Sequence, residues 1–358
     1  MADIYHIDKK REEQTLIKTD TGKRKKEQYI ENLREGDEVN DLFAVKLKNP
    51  PRPYKKGTWF DFVVTDKTGE IGVKFWGGDN KDRVKRLYDS FTAGDVVQVR
   101  SGHVELYDER LQISINETSG GLRRCGHEEY DVRDFIASLE ESRITELFET
   151  IKEEITNVSN DQLQELLRLF FDDSKFVDLF IHAPSAMTHH HNYVGGNLEH
   201  TVGVLRLCKN ICEMYPTINK DLVMTGAILH DIGKLKEYAS GASIEKTEEG
   251  NFIGHIVIGD RWIREKLAEL RKNGKEFDKN VENQLAHLIL SHHGKYEWGS
   301  PRMPKTIEAC VLHQADLMDS QVKNFIQNIE TGKQATEDEW LWIYDADYGK
   351  KRLMYLGD

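Results

Sequence analysis

The chain has 358 residues, a formal net charge of −12, 38% apolar and 31% charged residues, and only 7 prolines. This suits globular material and excludes collagen-like, elastic and wholly disordered chains; the length points to two or three domains. The apolar runs fall far short of the roughly 18 residues a bilayer span needs, and MADIYHIDKKREEQ puts charge where a secretory leader is apolar, so no membrane contact and a cytoplasmic location are expected. Cys125, Cys208, Cys212 and Cys310 lack C-x-x-C spacing and read as reduced core thiols.

Charge and histidine are unevenly spread. Residues 1–124 carry 24 basic and 22 acidic side chains, a balance of +2, and the remainder stands at −14. Eleven of the 14 histidines lie between His182 and His313. An acidic, histidine-rich segment makes sense where cations or a packed site occupy it, which locates the chemistry in the second part.

Residues 1–29 read as a loose arm. Their run Lys23-Arg24-Lys25-Lys26 is expected to be a solvated patch, with contact to phosphates as the alternative. From about 37 to 116 the pattern has period two. Phe60, Phe62 and Val64, then Ile71, Val73 and Phe75, alternate with polar residues around Asp66-Lys67-Thr68-Gly69, which has hairpin turn chemistry. Further alternation at 97–100, 104–107 and 111–115 gives five or so short strands, and hence a small β-barrel. Placing the two apolar triplets inside sends Trp59, Lys74, Trp76, Arg100 and Tyr107 outward. Flat rings accept any base while Lys and Arg follow phosphates, so this face suits single-stranded nucleic acid; burial of the tryptophans against another domain is the competing reading.

After Gly120-Gly121 the period becomes helical. Asp131–Ile155 and Gln162–Phe171 show i, i+3, i+4 apolar spacing, giving a helical linker over 122–174 and a mostly α remainder. Within it His200, His230-Asp231, His255, His292-His293 and Asp316 each lie on or at the end of a separate helical segment. Imidazoles and carboxylates aimed inward by several helices suit divalent transition metals. Seven such groups exceed one ion. Two ions sharing a bridging carboxylate would use them all and would suit phosphoester hydrolysis, with Lys234, one turn after Asp231, donating to a phosphate oxygen or the leaving group.

The arrangement H…HDxGK…H…HH…D over 175–330 resembles the HD-domain metal-dependent phosphohydrolases in their longer, two-metal form. What that resemblance implies is one ion held by His200, His230, Asp231 and Asp316, a second held by Asp231, His255, His292 and His293, and Asp231 as bridge. With APSAMTHHHNYVGGNLEHT at 183–201, HDIGK, SHHG, LHQADLMD and an OB-type barrel in front, the chain resembles the YhaM family of 3′-to-5′ exoribonucleases over about residues 30–330. The implied fold is an OB barrel at 30–121 followed by an all-α HD bundle at 175–330, with 331–358 as a C-terminal extension without an assigned role. The implied activity is manganese-dependent release of nucleotides from single-stranded RNA, with DNA a further substrate; iron, cobalt and nickel suit the same donors. An assembly of copies enclosing the strand fits the resemblance, although no heptad seam is visible.

His190, His191 and Tyr193, beside glycines and a few positions before His200, suit a loop that wraps the terminal nucleotide, with a surface loop whose glycines simply permit a turn as the alternative. His313, three residues before Asp316, reads either as support behind the ligands or as core. Competing functions are a small-nucleotide phosphohydrolase or cyclic-dinucleotide phosphodiesterase, di-iron oxygen chemistry, and an RNA-binding adaptor with an inert bundle. The last conflicts with a complete set of seven ligand-type residues.

Overall fold

The computed structural model describes residues 23–108, 110–186, 193–242, 244–336, 338–345 and 350–357. The chain divides into two compact units, one up to Ala137 that also takes in Gly241–Ser243, the other formed by Ser138–Ser240 and the chain from Ile244 onward.

Among the described residues nine strands build the first unit: β1 (Glu38–Val39), β2 (Leu42–Lys48), β3 (Arg52–Tyr54), β4 (Gly57–Asp66), β5 (Gly69–Trp76), β6 (Val96–Arg100), β7 (Gly102–Tyr107), β8 (Arg110–Asn116) and β9 (Gly121–Arg124), with helix α1 (Lys81–Asp89) between β5 and β6. They form one sheet in the order β1-β7-β8-β5-β4-β2-β6-β9, with β3 hydrogen-bonded to β4 off this path. β4 and β5 pair from Trp59↔Trp76 to Asp66↔Gly69, so Lys67-Thr68 form the hairpin tip expected from the sequence. Asp66 Oδ1 fixes that tip by accepting from Thr68 N at 2.9 Å. Phe60, Phe62, Val64, Ile71, Val73 and Phe75 are all buried in one core to which β1, β2, β6, β7 and β8 also contribute, which requires the sheet to curl. A one-residue slip of this hairpin would expose all six, at a cost on the order of 10 kcal/mol.

The basic run at 23–26 is not wholly solvated. Lys26 is buried, donates to the Leu42 carbonyl at 2.6 Å, lies 3.4 Å from Asp66 Oδ2 and sits 3.6 Å from the Phe43 ring centroid. Asp41 Oδ2 accepts from the backbone of Glu27 and Gln28 at 2.7 and 2.6 Å, tying this segment to the sheet.

The second unit contains α2 (Glu141–Asn157), α3 (Asp161–Phe171), α4 (Ser174–His182), α5 (Gly196–Met214), α6 (Lys220–Leu229), α7 (Lys234–Glu237), α8 (Glu248–Phe252), α9 (His255–Lys272), α10 (Lys279–Ser291) and α11 (Ile307–Ala335). Two hairpins accompany them, β10 (Tyr238–Ser240) with β11 (Ile244–Lys246), and β12 (Trp340–Asp345) with β13 (Lys350–Tyr355). Asn160, Asp173, Asn219, Asp278 and Thr306 each cap a helix start with a side-chain oxygen, which is why the helices begin where they do. Their apolar stripes meet in one core running from Ile144 to Ala315.

Two expectations are corrected. The helix expected from Asp131 begins only at Glu141, because Asp131 caps a single 3₁₀ turn and Ser138 then bridges Val194, with Leu139 N bonded to the Val194 carbonyl at 3.0 Å. Of the four cysteines, Cys310 is exposed on α11 rather than in a core. Among the described residues no helix is long and apolar enough to cross a membrane.

Candidate metal centre

Five separate segments of the second unit deliver the seven ligand-type side chains. His200 comes from the first turns of α5, His230 caps the end of α6 with Asp231 following, and His255 opens α9. His292 caps α10 with His293 beyond it, and Asp316 lies inside α11. The side chains gather into two groups, His200, His230 and Asp231 in one and His255, His292 and His293 in the other, with donor atoms within 4.8 Å of each other inside each group.

Asp231 joins the groups. Its Oδ2 lies 3.5 Å from His200 Nε2 and 3.3 Å from His230 Nε2, while Oδ1 lies 3.5 Å from His255 Nε2 and 3.7 Å from His292 Nε2. Asp316 Oδ1 stands 3.2 Å from His200 Nε2, on the side of the first group.

Every imidazole is oriented from behind. His230 Nδ1 donates to the Ala227 carbonyl at 2.8 Å, His292 Nδ1 to Ile289 at 2.7 Å and His293 Nδ1 to Trp298 at 2.7 Å. A carbonyl only accepts, so these three rings carry their proton on Nδ1 and turn an Nε2 lone pair inward. The other two face carboxylates: His200 Nδ1 donates to Asp319 Oδ2 at 2.7 Å, and His255 Nδ1 to Glu237 Oε2 at 2.5 Å. Glu237 also receives the His255 backbone N–H at 2.9 Å, so one carboxylate sets both the helix start and the ring.

The polar inventory fits a cation. Asp231 Oδ1 and His292 Nε2 are buried without a hydrogen bond among the described residues, while Asp231 Oδ2 faces the Lys234 ammonium, and His200 and His230 turn their Nε2 atoms toward each other at 3.2 Å. Such atoms are costly to bury unless something positive lies between them. Burial works against a charge on His200, but bonds to Asp316 and Asp319 outweigh it and lift its pKa to about 9. Acid oxygens that draw a proton there would draw a divalent cation, which displaces the proton. Burial and the neighbouring His293 hold His292 well below the usual imidazole range, and burial with the His255 charge lowers His293. Burial works to raise the Asp231 carboxyl, but the charges of Lys234 and His230 hold it well below its usual range.

Lys234 Nζ lies 2.6 Å from Asp231 Oδ2 and donates to Ser185 Oγ at 3.0 Å, at the edge of a cavity of about 300 Å³ that opens beside the second histidine group. Gly233, between the His-Asp pair and this lysine, packs on the start of α9: a methyl there would overlap the His255 carbonyl.

On the first unit, Lys74 Nζ lies 5.1 Å from the Trp59 ring, 5.3 Å from Trp76 and 4.6 Å from Tyr107, so four of the residues assigned to nucleic acid meet on one face. Arg100 is exposed at the end of β6, bonds Gln98 Oε1 at 3.2 Å, and stands over none of these rings among the described residues. Tyr193 donates its hydroxyl to Glu199, has Lys323 Nζ 5.5 Å from its ring and does not line the cavity. His190 and His191 lie outside the described residues.

Sequence reasoning missed Asp319, Glu237, Ser185 and Trp298 beside the cluster, and Arg52 and Tyr54 on the sheet. Asp316-x-x-Asp319 has same-face helical spacing, a usable signal. Arg52 lies 5.7 Å from the Trp59 ring and Tyr54 sits edge-on to Trp76 at 5.1 Å, both from a three-residue strand too short to show alternation. His313 does stand behind a ligand, donating Nδ1 to the His292 carbonyl at 2.8 Å.

A helical unit that gathers histidines around a His-Asp pair, preceded by a curled sheet of OB type, defines an HD-domain phosphohydrolase with a nucleic-acid-binding module. The HD-domain family profile matches residues 197–320, the OB-fold nucleic acid binding domain matches 44–119, and a profile described as a putative helicase matches 134–220. The 3′-5′ exoribonuclease YhaM of Listeria innocua is 34% identical over 264 residues, covering 74% of this chain and 79% of its own. That of Bacillus subtilis is 31% identical over 303 residues, 83% of this chain and 90% of its own. The chain belongs to the YhaM family of 3′-5′ exoribonucleases. Among solved structures, the OB domain of Ta0387 from Thermoplasma acidophilum aligns with 28% of this chain and 86% of its own at 13% identity, with a TM-score of 0.22.

Proposed function

We propose that the chain shortens single-stranded RNA from its 3′ end by metal-dependent hydrolysis, releasing nucleoside monophosphates, with single-stranded DNA as a further substrate. The observation that carries this reading is Asp231, whose two oxygens face different histidine groups. His200, His230, Asp231 and Asp316 would hold one divalent cation and Asp231, His255, His292 and His293 a second. Manganese is the ion we favour, and iron, cobalt and nickel suit the same donors. Two such ions supply a water acidic enough to attack a phosphodiester at neutral pH and neutralise the charge that builds on the phosphoryl oxygens.

The chain's own residues do the rest. The bonds at each Nδ1 hold the imidazoles in place before substrate arrives, so little reorganisation accompanies reaction. Lys234 donates to a non-bridging phosphate oxygen or to the leaving oxygen, held ready by Ser185. Trp59, Trp76 and Tyr107 stack bases while Lys74, with Arg52 beside it, follows the phosphates. Single-stranded RNA labelled at one end or the other, incubated with the protein and Mn²⁺, tests the proposal. Loss of mononucleotides from the 3′ end is expected; no shortening, or shortening from the 5′ end, rejects it.

A further inference from the structure

At about 300 Å³ the cavity beside the histidines lies at the small end of ligand pockets, which run roughly 300–1,000 Å³. It has room for one nucleotide, not for a length of strand. Lys234 gives it a cationic side, Asp316 faces it from the ligand cluster, and the rings of Tyr238 and Trp298 give it flat walls.

Two more residues line it without an evident structural task. Ser320 follows Asp316 by four positions on α11 and shares its helix face, and Gln321, the next residue, also lines the cavity. Both are half-buried, and neither side chain has a hydrogen-bond partner among the described residues. Rises of about 6 and 7.5 Å along the axis separate them from Asp316, comparable to the span from a 5′-phosphorus to the 2′- and 3′-hydroxyls of the same nucleotide. A phosphate at the ligand cluster thus puts the ribose, rather than the base, within their reach.

We infer that Ser320 and Gln321 hydrogen-bond the 2′- and 3′-hydroxyls of the terminal ribose and give the site its preference for RNA over DNA, with Trp298 against the base. This rests on the exonuclease reading above. A hydroxyl both donates and accepts, and a serine hydroxyl and a glutamine amide can each answer in both senses. A terminal deoxyribose leaves one of them facing the cavity unpaired, which is how a polar site rejects an analogue lacking a hydroxyl.

The test uses the full chain loaded with Mn²⁺ and two RNA oligomers identical except that the last nucleotide of one is 2′-deoxy. Release of that nucleotide is timed in a single turnover. The native protein is expected to release the ribonucleotide at least about 10-fold faster. S320A and Q321A should bring the ratio to within about 2-fold, mainly through a higher KM for the ribose end, with metal content and melting temperature as in the native protein. Equal rates from native protein on both oligomers, or variants that keep the native ratio, overturn the inference and leave the exonuclease standing. A variant that changes which base leaves fastest while preserving the ribose ratio also overturns it. Failure of the native protein to release either terminus takes down the exonuclease reading and this inference together.

Discussion

Asp319 Oδ2 and His200 Nδ1 are bonded at 2.7 Å across 119 positions of chain, and the carboxylate reaches the ring by passing over Gly203. A methyl at Gly203 would overlap Asp319 Oδ1, so the absence of a side chain one turn after His200 is what lets α11 support a residue of α5.

D319A and G203A should therefore share a phenotype. Each frees the His200 ring, and each is expected to weaken metal binding by roughly 10- to 100-fold. D319N, which keeps an accepting oxygen, should recover part of the loss. Equilibrium dialysis against Mn²⁺ followed by elemental analysis reads this directly; full metal content in G203A would refute the crowding argument.

D231N removes the charge that both histidine groups share. Stabilisation of several kcal/mol disappears with it, so hydrolysis should fall by roughly 100-fold or more. RNA binding should survive, because the sheet face is untouched. Gel-shift and digestion assays on the same preparation separate the two properties, and a variant that lost both would speak against independent tasks for the two units.

The cluster was legible because side chains able to bind metal recur at the starts and ends of helices, whichever core surrounds them, with Asp316 inside α11 as the exception. Likewise the β4–β5 hairpin was written in strict alternation, and its six inward residues are the ones buried. Supporting residues were harder to see. Asp319 and Glu237 are two acids among 62, and only the folded positions of His200 and His255 distinguish them. Lys26 was misread because a lysine in a basic run goes inside only when carboxylates distant in sequence meet it, here Asp66. The helix expected from Asp131 failed for a related reason: Phe135, Ile136 and Leu139 have helical spacing, but the backbone at 138–139 is taken by Val194.

W59A and W76A should weaken single-stranded RNA binding by about 5- to 100-fold each, the range for loss of one stacked base. K74A should lower the salt dependence of binding as well as its strength. Fluorescence anisotropy at several salt concentrations measures both effects, with metal content as the control that the second unit is intact.

Glu129 makes stability of the first unit depend on acid. Arg123 grips it with two bonds of 2.8 and 2.7 Å, which, against some opposing burial, brings its pKa down to about 2 from 4.5. A carboxyl with a lowered folded pKa contributes stability above its unfolded value and loses it as pH falls toward the folded one. E129Q should thus be less stable than the native chain at pH 6, on the order of 1 kcal/mol given the partial exposure of the pair. The difference should shrink steadily from about pH 4.5 toward pH 2. Parallel denaturant melts across that window check it, and a gap that widened on acidification would contradict the sign.

His230 and His292 bond the carbonyls of Ala227 and Ile289, groups in the last turns of α6 and α10 that a helix terminus leaves without a partner of its own. Each ring is accordingly a stop for its helix as well as, in the proposed metal centre, a donor to a cation. Whatever frays either end swings a ligand away, and whatever ion settles at the centre tightens both ends, so backbone amide exchange in these two turns should report metal occupancy with no substrate present.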